Sequence, residues 1–333
     1  MRAFAYLAPT SVADTLDALR TAQPGTKILA GGTTLYDLMK LDIETPPAVI
    51  DVHRLAELNT IDVGADELVF GSGARMADVA NHPAIKADYP GISESLWRAA
   101  SQQLRNMATL GGNLLQRTRC AYFRGGSEFP CNKRAPGSGC AAIGGHDRGH
   151  ALFGGSDSCI ATYAGDLGIA LIAFDAVVDV VGPNGERSVP FAELHVEPGE
   201  DPTREHVLAP DELIVRIRVP ATPAGRGSTY LKIRDRESYA FALASAAVGL
   251  VIDGEGLVSE CRIALGGVAT RPWRATEAEQ ALLGRPLTPQ AARSAGEAAF
   301  ATARPGTYNG FRVELGIRIV ADALRTAGER ATR

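Results

Sequence analysis

Val12, Leu16 and Leu19 fall on one helical face, and Ser11 with Asp14 forms a capping box ahead of them. The spacing predicts a helix over residues 12–21, ended by Pro24-Gly25. Residues 27–30 read as a short buried strand, Gly31 to Thr34 as a turn, and Leu35, Leu38 and Met39 as the start of a second helix. Strand patterns follow at residues 48–52 and 68–71, and helical patterns at 76–80 and 92–100. Such alternation belongs to an α/β or α+β domain.

The periodicity then stops. Residues 116–158 are rich in Gly, Pro, Ser, Arg and Cys, with Gly125-Gly126, Pro136-Gly137-Ser138-Gly139 and Gly144-Gly145 as turn signals. A stretch this long needs an organiser other than an apolar core. Pattern returns as a helix at 166–175 and a strand at 177–181. Beyond a loop at 198–211, strands are predicted at 213–219, 228–234, 239–252 and 258–265, then helices at 276–283, 289–303 and 311–327. Strands followed by helices imply a second α+β domain beginning near residue 221, and no internal repeat is visible.

Charge and composition narrow the function classes. The 333 residues carry 34 basic and 38 acidic side chains, a net charge of −4, which argues against a nucleic-acid partner or an anionic membrane surface. The longest apolar run, residues 241–252, falls well short of the roughly 20 residues of a spanning helix, and the first residues show no signal-peptide core. His53, His82, His195 and His206 are scattered, and no Ser/His/acid set reads as a nucleophile system. Four of the five cysteines, Cys120, Cys131, Cys140 and Cys159, crowd into the irregular stretch, whereas Cys261 sits in a strand pattern.

Two segments are suited to anions. Lys27-Ile28-Leu29-Ala30-Gly31-Gly32-Thr33-Thr34-Leu35 runs from strand through glycines and hydroxyls into a helix, which offers backbone N–H groups to a phosphate. Ala108-Thr109-Leu110-Gly111-Gly112-Asn113-Leu114 repeats that chemistry. Two such turns suit a dinucleotide diphosphate better than a single phosphate, although neither is a G-x-G-x-x-G fingerprint.

These two segments resemble the FAD-contacting segments of the vanillyl-alcohol-oxidase-type flavin domain, as found in the medium subunits of xanthine dehydrogenase and carbon monoxide dehydrogenase. Residues 166–175, 210–220 and 230–234 resemble further family segments in the same order, and the last hundred residues resemble the family's C-terminal domain. The resemblance implies an α+β chain with a two-part flavin domain of this (PCMH) type at 1–220, and a C-terminal domain of the carbon monoxide dehydrogenase flavoprotein type at 221–333. FAD contacts are implied for residues 27–35, Thr109, Gly112, Asn113, Thr118, Asp166, Ile214 and Lys232. Thr109 is expected at a phosphate and Asp166 at the ribityl chain. Ile214 is expected near the ring system, and Lys232 close enough to the flavin for its charge to stabilise an anionic reduced form.

Between Asn113 and Asp166 about forty residues depart from the common family pattern. The excursion, about 116–160, resembles the insert of periplasmic aldehyde oxidoreductases and 4-hydroxybenzoyl-CoA reductases, which implies a [4Fe–4S] cluster on Cys120, Cys131, Cys140 and Cys159. Four thiolates are the usual complement for such a cluster, and metal bonds would organise a loop without a core. The spacing contains no C-x-x-C pair. A zinc site on Cys140, His146, His150 and Cys159 and two disulfides are the competing readings. Arg117, Arg119, Arg124, Lys133, Arg134 and Arg148 are read as cations that compensate a negatively charged cluster, or as a partner-docking loop.

The function implied is electron transfer. A molybdenum-cofactor large subunit would oxidise the organic substrate, a [2Fe–2S] small subunit would pass electrons to the FAD here, and an external acceptor would receive them. The alternatives are a stand-alone flavoprotein oxidoreductase and a metal-stapled scaffold subunit. The expected compartment is the cytoplasm, or the periplasm by co-export with a signal-bearing partner.

Overall fold

A computed structural model describes residues 1–332. Its first sheet is small and parallel, in the order β1 (Ala5–Leu7), β3 (Ala48–Asp51), β2 (Lys27–Leu29). Helix Val12–Arg20 starts where expected, with the Ser11 side chain accepting from the Asp14 N–H. Helix Leu35–Lys40 begins straight after the first glycine turn.

The second sheet is antiparallel, in the order β4 (Ile61–Val63), β5 (Glu67–Gly71), β8 (Leu213–Pro220), β6 (Val177–Gly182), β7 (Gly185–Pro190). Sequence patterning missed β1, β4 and β7. Strands β1 and β7 are mostly exposed and lack the alternation that marks a half-buried strand. The buried faces of β5, β6 and β8 (Leu68, Phe70, Val178, Val180, Ile217, Val219) pack with the wholly buried helix Leu167–Ala173 in one core.

The third sheet has the order β12 (Trp273–Arg274), β11 (Val258–Gly266), β10 (Ala244–Ile252), β9 (Ser228–Ile233). Alternation along β10 sends Ala244, Ala246, Val248 and Leu250 toward the C-terminal helices, and Ala247 into the core of the first two-thirds of the chain. Helices Thr276–Leu282, Pro289–Ala299 and Phe311–Ala331 cover the first of those faces.

Several boundaries differ from expectation; the last helix, predicted over 311–327, runs to Ala331, and the one predicted over 92–100 is Pro90–Trp97. The strand predicted over 239–252 begins only at Ala244, because Tyr239 has φ 55° and Arg236 bonds back to its carbonyl, which closes a loop. The helix predicted over 289–303 ends at Ala299. Residues 116–158 are irregular apart from the single turn Ala121–Arg124 and the Cys131–Cys140 and Phe153–Ala269 bridges. Among the described residues, no helix is long and apolar enough to cross a membrane.

Candidate functional site

The two glycine turns meet. A Cβ on Gly31 would lie 2.0 Å from the Met107 carbonyl oxygen, so only glycine lets the first turn rest on the backbone leading into the second. Gly32 has φ +72°, a left-handed conformation that few other residues adopt cheaply. This geometry leaves the N–H groups of Gly31, Gly32, Thr33 and Thr34 without an acceptor among the described residues. Converging, unpaired N–H groups are the physical basis of a phosphate cradle.

A cavity opens on each side of that junction. One, of about 680 Å³, is lined by Lys27, Ile28, Glu44, Thr109, Leu208 and Ile214. The other, of about 1040 Å³, is lined by Leu29, Asn113, Asp166, Lys232, Tyr239 and Phe241. Ala30, Gly31, Gly32, Thr33, Thr34 and Gly112 border both. The Asn113 side-chain oxygen is buried at the second cavity with no partner, a polar atom left for a ligand. A long molecule with a diphosphate at its middle and a polar group toward each end fits this double cavity. FAD has that shape.

Deep in the second cavity lies a buried ion pair. Lys232 on β9 donates to Asp166 Oδ2 at 2.8 Å and to the Arg98 carbonyl at 3.1 Å, and its side chain is only 1% exposed. Tyr230, two residues earlier on the same strand, donates to Asp166 Oδ1 at 2.5 Å. Burial and the neighbouring Asp166 carboxylate push the Tyr230 hydroxyl pKa well up, so it remains a donor. Asp166 sits just before helix Leu167–Ala173, whose apolar run fixes it from below.

The irregular excursion encloses a separate cavity. Cys120, Cys131, Cys140 and Cys159 all line it, together with His150, Tyr122, Phe123 and Lys133. The thiols are unpaired, and burial pushes Cys120 up to about 11. Among the described residues no three His, Cys, Asp or Glu side chains gather tightly enough to hold a single metal ion. A four-iron cluster holds its four thiolates farther apart than one ion does, and four thiols lining one cavity would suit such a donor set. His146 packs at a tilt against Tyr308 and does not line the cavity, while His150 Nε2 lies 3.2 Å from Cys120 Sγ.

Residues 2–222 match the family described as the FAD binding domain in molybdopterin dehydrogenase. The chain belongs to the FAD-binding medium subunits of the molybdenum hydroxylases. Residues 229–327 match the CO dehydrogenase flavoprotein C-terminal domain. The chain is 45% identical to the aldehyde oxidoreductase FAD-binding subunit PaoB of Escherichia coli, over 99% of this chain and 100% of that one. It is 29% identical to the carbon monoxide dehydrogenase medium chain of Hydrogenophaga pseudoflava, over 91% of this chain and 88% of that one. A solved carbon monoxide dehydrogenase from that organism superposes with a TM-score of 0.75 at 29% identity, covering 99% of this chain and 98% of that chain. The α+β fold expected for such a medium subunit is therefore the one present.

Within this medium subunit, residues 27–35, Thr109, Gly112, Asn113, Asp166, Ile214 and Lys232 all border the double cavity. Thr118 does not. Its hydroxyl donates to the Thr162 carbonyl at 3.0 Å and accepts from the Cys120 N–H at 3.2 Å, so it ties the two ends of the insert together. Ile214 and Lys232 line different cavities, on β8 and β9 of different sheets. Lys232 is no free cation, since Asp166 already neutralises it.

The basic residues of the insert are likewise engaged. Arg117 bridges Glu44 (2.5 Å) and Glu205 (2.6 Å), and Lys133 meets Glu205 at 3.0 Å. Arg119 and Arg124 converge on Asp37, while Arg134 donates to the Tyr122 and Phe123 carbonyls. Arg117, Arg119, Arg124 and Lys133 thus bind the insert to the flavin domain, whereas Arg134 braces the insert internally and Arg148 reaches Asp235. Sequence reading missed Glu205, His206 and Gln116 in the cleft wall, the first two because their loop carries no periodic signal.

Proposed function

We propose that this chain is the FAD- and [4Fe–4S]-carrying electron-transfer subunit of a molybdenum hydroxylase that oxidises an aldehyde. Its partners are then a large subunit bearing the molybdenum cofactor, a small [2Fe–2S] subunit and an external electron acceptor. The observation that carries the reading is the junction of the two glycine turns, with unpaired N–H groups between two cavities. The aldehyde follows the printed name of the Escherichia coli relative, and the medium-chain names of other relatives support a multi-subunit assembly. The chain divides in this reading into a flavin domain at 1–220, with its insert at about 116–160, and a C-terminal domain at 221–333.

FAD, when bound, supplies the capacity to accept electrons singly and release them in pairs. The protein's own residues do the rest. Gly31 to Thr34 and Thr109 would hold the diphosphate, and Asn113 would bind through its unpaired oxygen. Asp166 and Lys232, as a neutral pair, would give the ring end a polar, water-excluded wall. Cys120, Cys131, Cys140 and Cys159 would hold the cluster. Anaerobically purified protein should release FAD on denaturation and contain about four iron and four sulfide per chain. A colourless protein, or one with zinc in place of iron, would overturn the reading. The isolated chain should not oxidise aldehydes.

A further inference from the structure

One histidine faces the thiol cavity and is used by nothing described so far. His150 is 6% exposed, its Nε2 lies 3.2 Å from Cys120 Sγ, and its Nδ1 is buried without a partner. A metal-bound thiolate only accepts hydrogen bonds, so against such a sulfur Nε2 carries the proton. The partnerless Nδ1 then keeps a bare lone pair, which gives a neutral imidazole aimed at the sulfur.

The backbone of residue 150 is clamped from the C-terminal part of the chain. Arg312, fully buried, donates to the His150 carbonyl at 2.6 Å and to the Leu243 carbonyl at 2.8 Å, and it also reaches the Gly267 carbonyl. Asn309 donates to the same His150 carbonyl at 3.2 Å. Asp147, three residues before His150, accepts from the Thr307 and Tyr308 N–H groups at 2.8 and 2.7 Å. No carboxylate is paired with Arg312 among the described residues, and a buried cation without a counter-charge is costly. A cluster held by four thiolates carries negative charge of the required sign, and His150, whose carbonyl Arg312 holds, lines the thiol cavity.

We infer that His150 is a positioning residue for the iron–sulfur cluster: it donates a hydrogen bond to the Cys120 thiolate, is held in place by Arg312 and Asn309, and raises the cluster's reduction potential. The inference rests on the cluster reading of the proposed function. A hydrogen bond to a ligating sulfur withdraws electron density and favours the reduced cluster. Because the clamp comes from the start of helix Phe311–Ala331, docking of the C-terminal domain sets the position of the donor.

The test uses the full-length chain, purified anaerobically as wild type and as the His150→Leu, His150→Gln and Arg312→Lys variants. Iron and sulfide content and the cluster's midpoint potential are measured, the latter by EPR-monitored redox titration. His150→Leu is expected to keep four irons per chain and to shift to lower potential. His150→Gln, which retains an amide donor, should recover part of the shift. Arg312→Lys should move in the same direction as His150→Leu. An unchanged potential in an iron-loaded His150→Leu protein overturns the inference. So does loss of one iron, with a three-iron EPR signal, because His150 would then be a ligand. Wild-type chain lacking iron and sulfide would defeat the cluster reading itself and the inference with it, a result distinct from the other two.

Discussion

Single residues decide whether the cleft can form. A methyl group on Gly31 must displace the Met107 carbonyl from which it would lie only 2.0 Å away, so the Gly31→Ala variant should purify with most of its flavin missing. Gly254→Ala, where nothing lies within 4 Å, should keep a full complement; flavin extraction reads both. The Asp166–Lys232 pair makes a second case. Lys232→Met strands a buried carboxylate, and breaking such a pair costs about 3–5 kcal/mol. The urea midpoint should fall accordingly, and adding Asp166→Asn should restore much of it. An unaltered midpoint in the single variant would show the pair to be more solvated than its burial implies. Lys232 also shows what sequence can convey about one position. Its place on a strand was legible through the family resemblance, but its partner was not, because Asp166 and Lys232 are 66 residues apart and no local pattern links them.

At the scale of elements, the insert behaves as a part fastened on by charge. Burial alone would raise the Glu205 pKa, but Arg117 and Lys133 outweigh it and hold the carboxyl below its usual range. A depressed carboxylate contributes stability that is whole above the unfolded value of about 4.3 and is lost as pH falls through the lower, folded value. Melting temperatures measured downward from pH 7 should therefore show an acid-side loss in the wild type that Glu205→Gln lacks; parallel curves would remove Glu205 from this role. Helix Val12–Arg20 was readable because it buries one apolar face, and helix Leu167–Ala173 because its unbroken apolar run is buried throughout. The exposed strand Gly185–Pro190 and the loop bearing Glu205 were not, since neither is patterned by a core. The partners of Thr118 were illegible for a related reason: its bonds to Thr162 and Cys120 span the insert, where no periodic pattern links them.

Across the whole molecule the two matched families share one core. Tyr230, Ala247 and Ala264 of the third sheet are buried with Phe70, Ile92 and Leu171. Glu94 accepts from the Tyr230 N–H at 2.9 Å and pairs with Arg330 at 2.6 Å. The flavin domain and the C-terminal domain should accordingly melt in one calorimetric transition, which added FAD raises by mass action. Two separated transitions would contradict the shared core. Fold class and the order of the two units were open to sequence reading; the mutual burial was not, because the alternation of β10 shows two apolar faces without saying what covers each.

Lys133 lines both the thiol cavity and the flavin cleft. It is therefore a wall common to both cavities, and in the proposed reading a change in one is expected to be felt in the other. Cells grown under iron starvation should yield a subunit depleted in both yellow and brown chromophores together, with flavin occupancy tracking iron content across preparations.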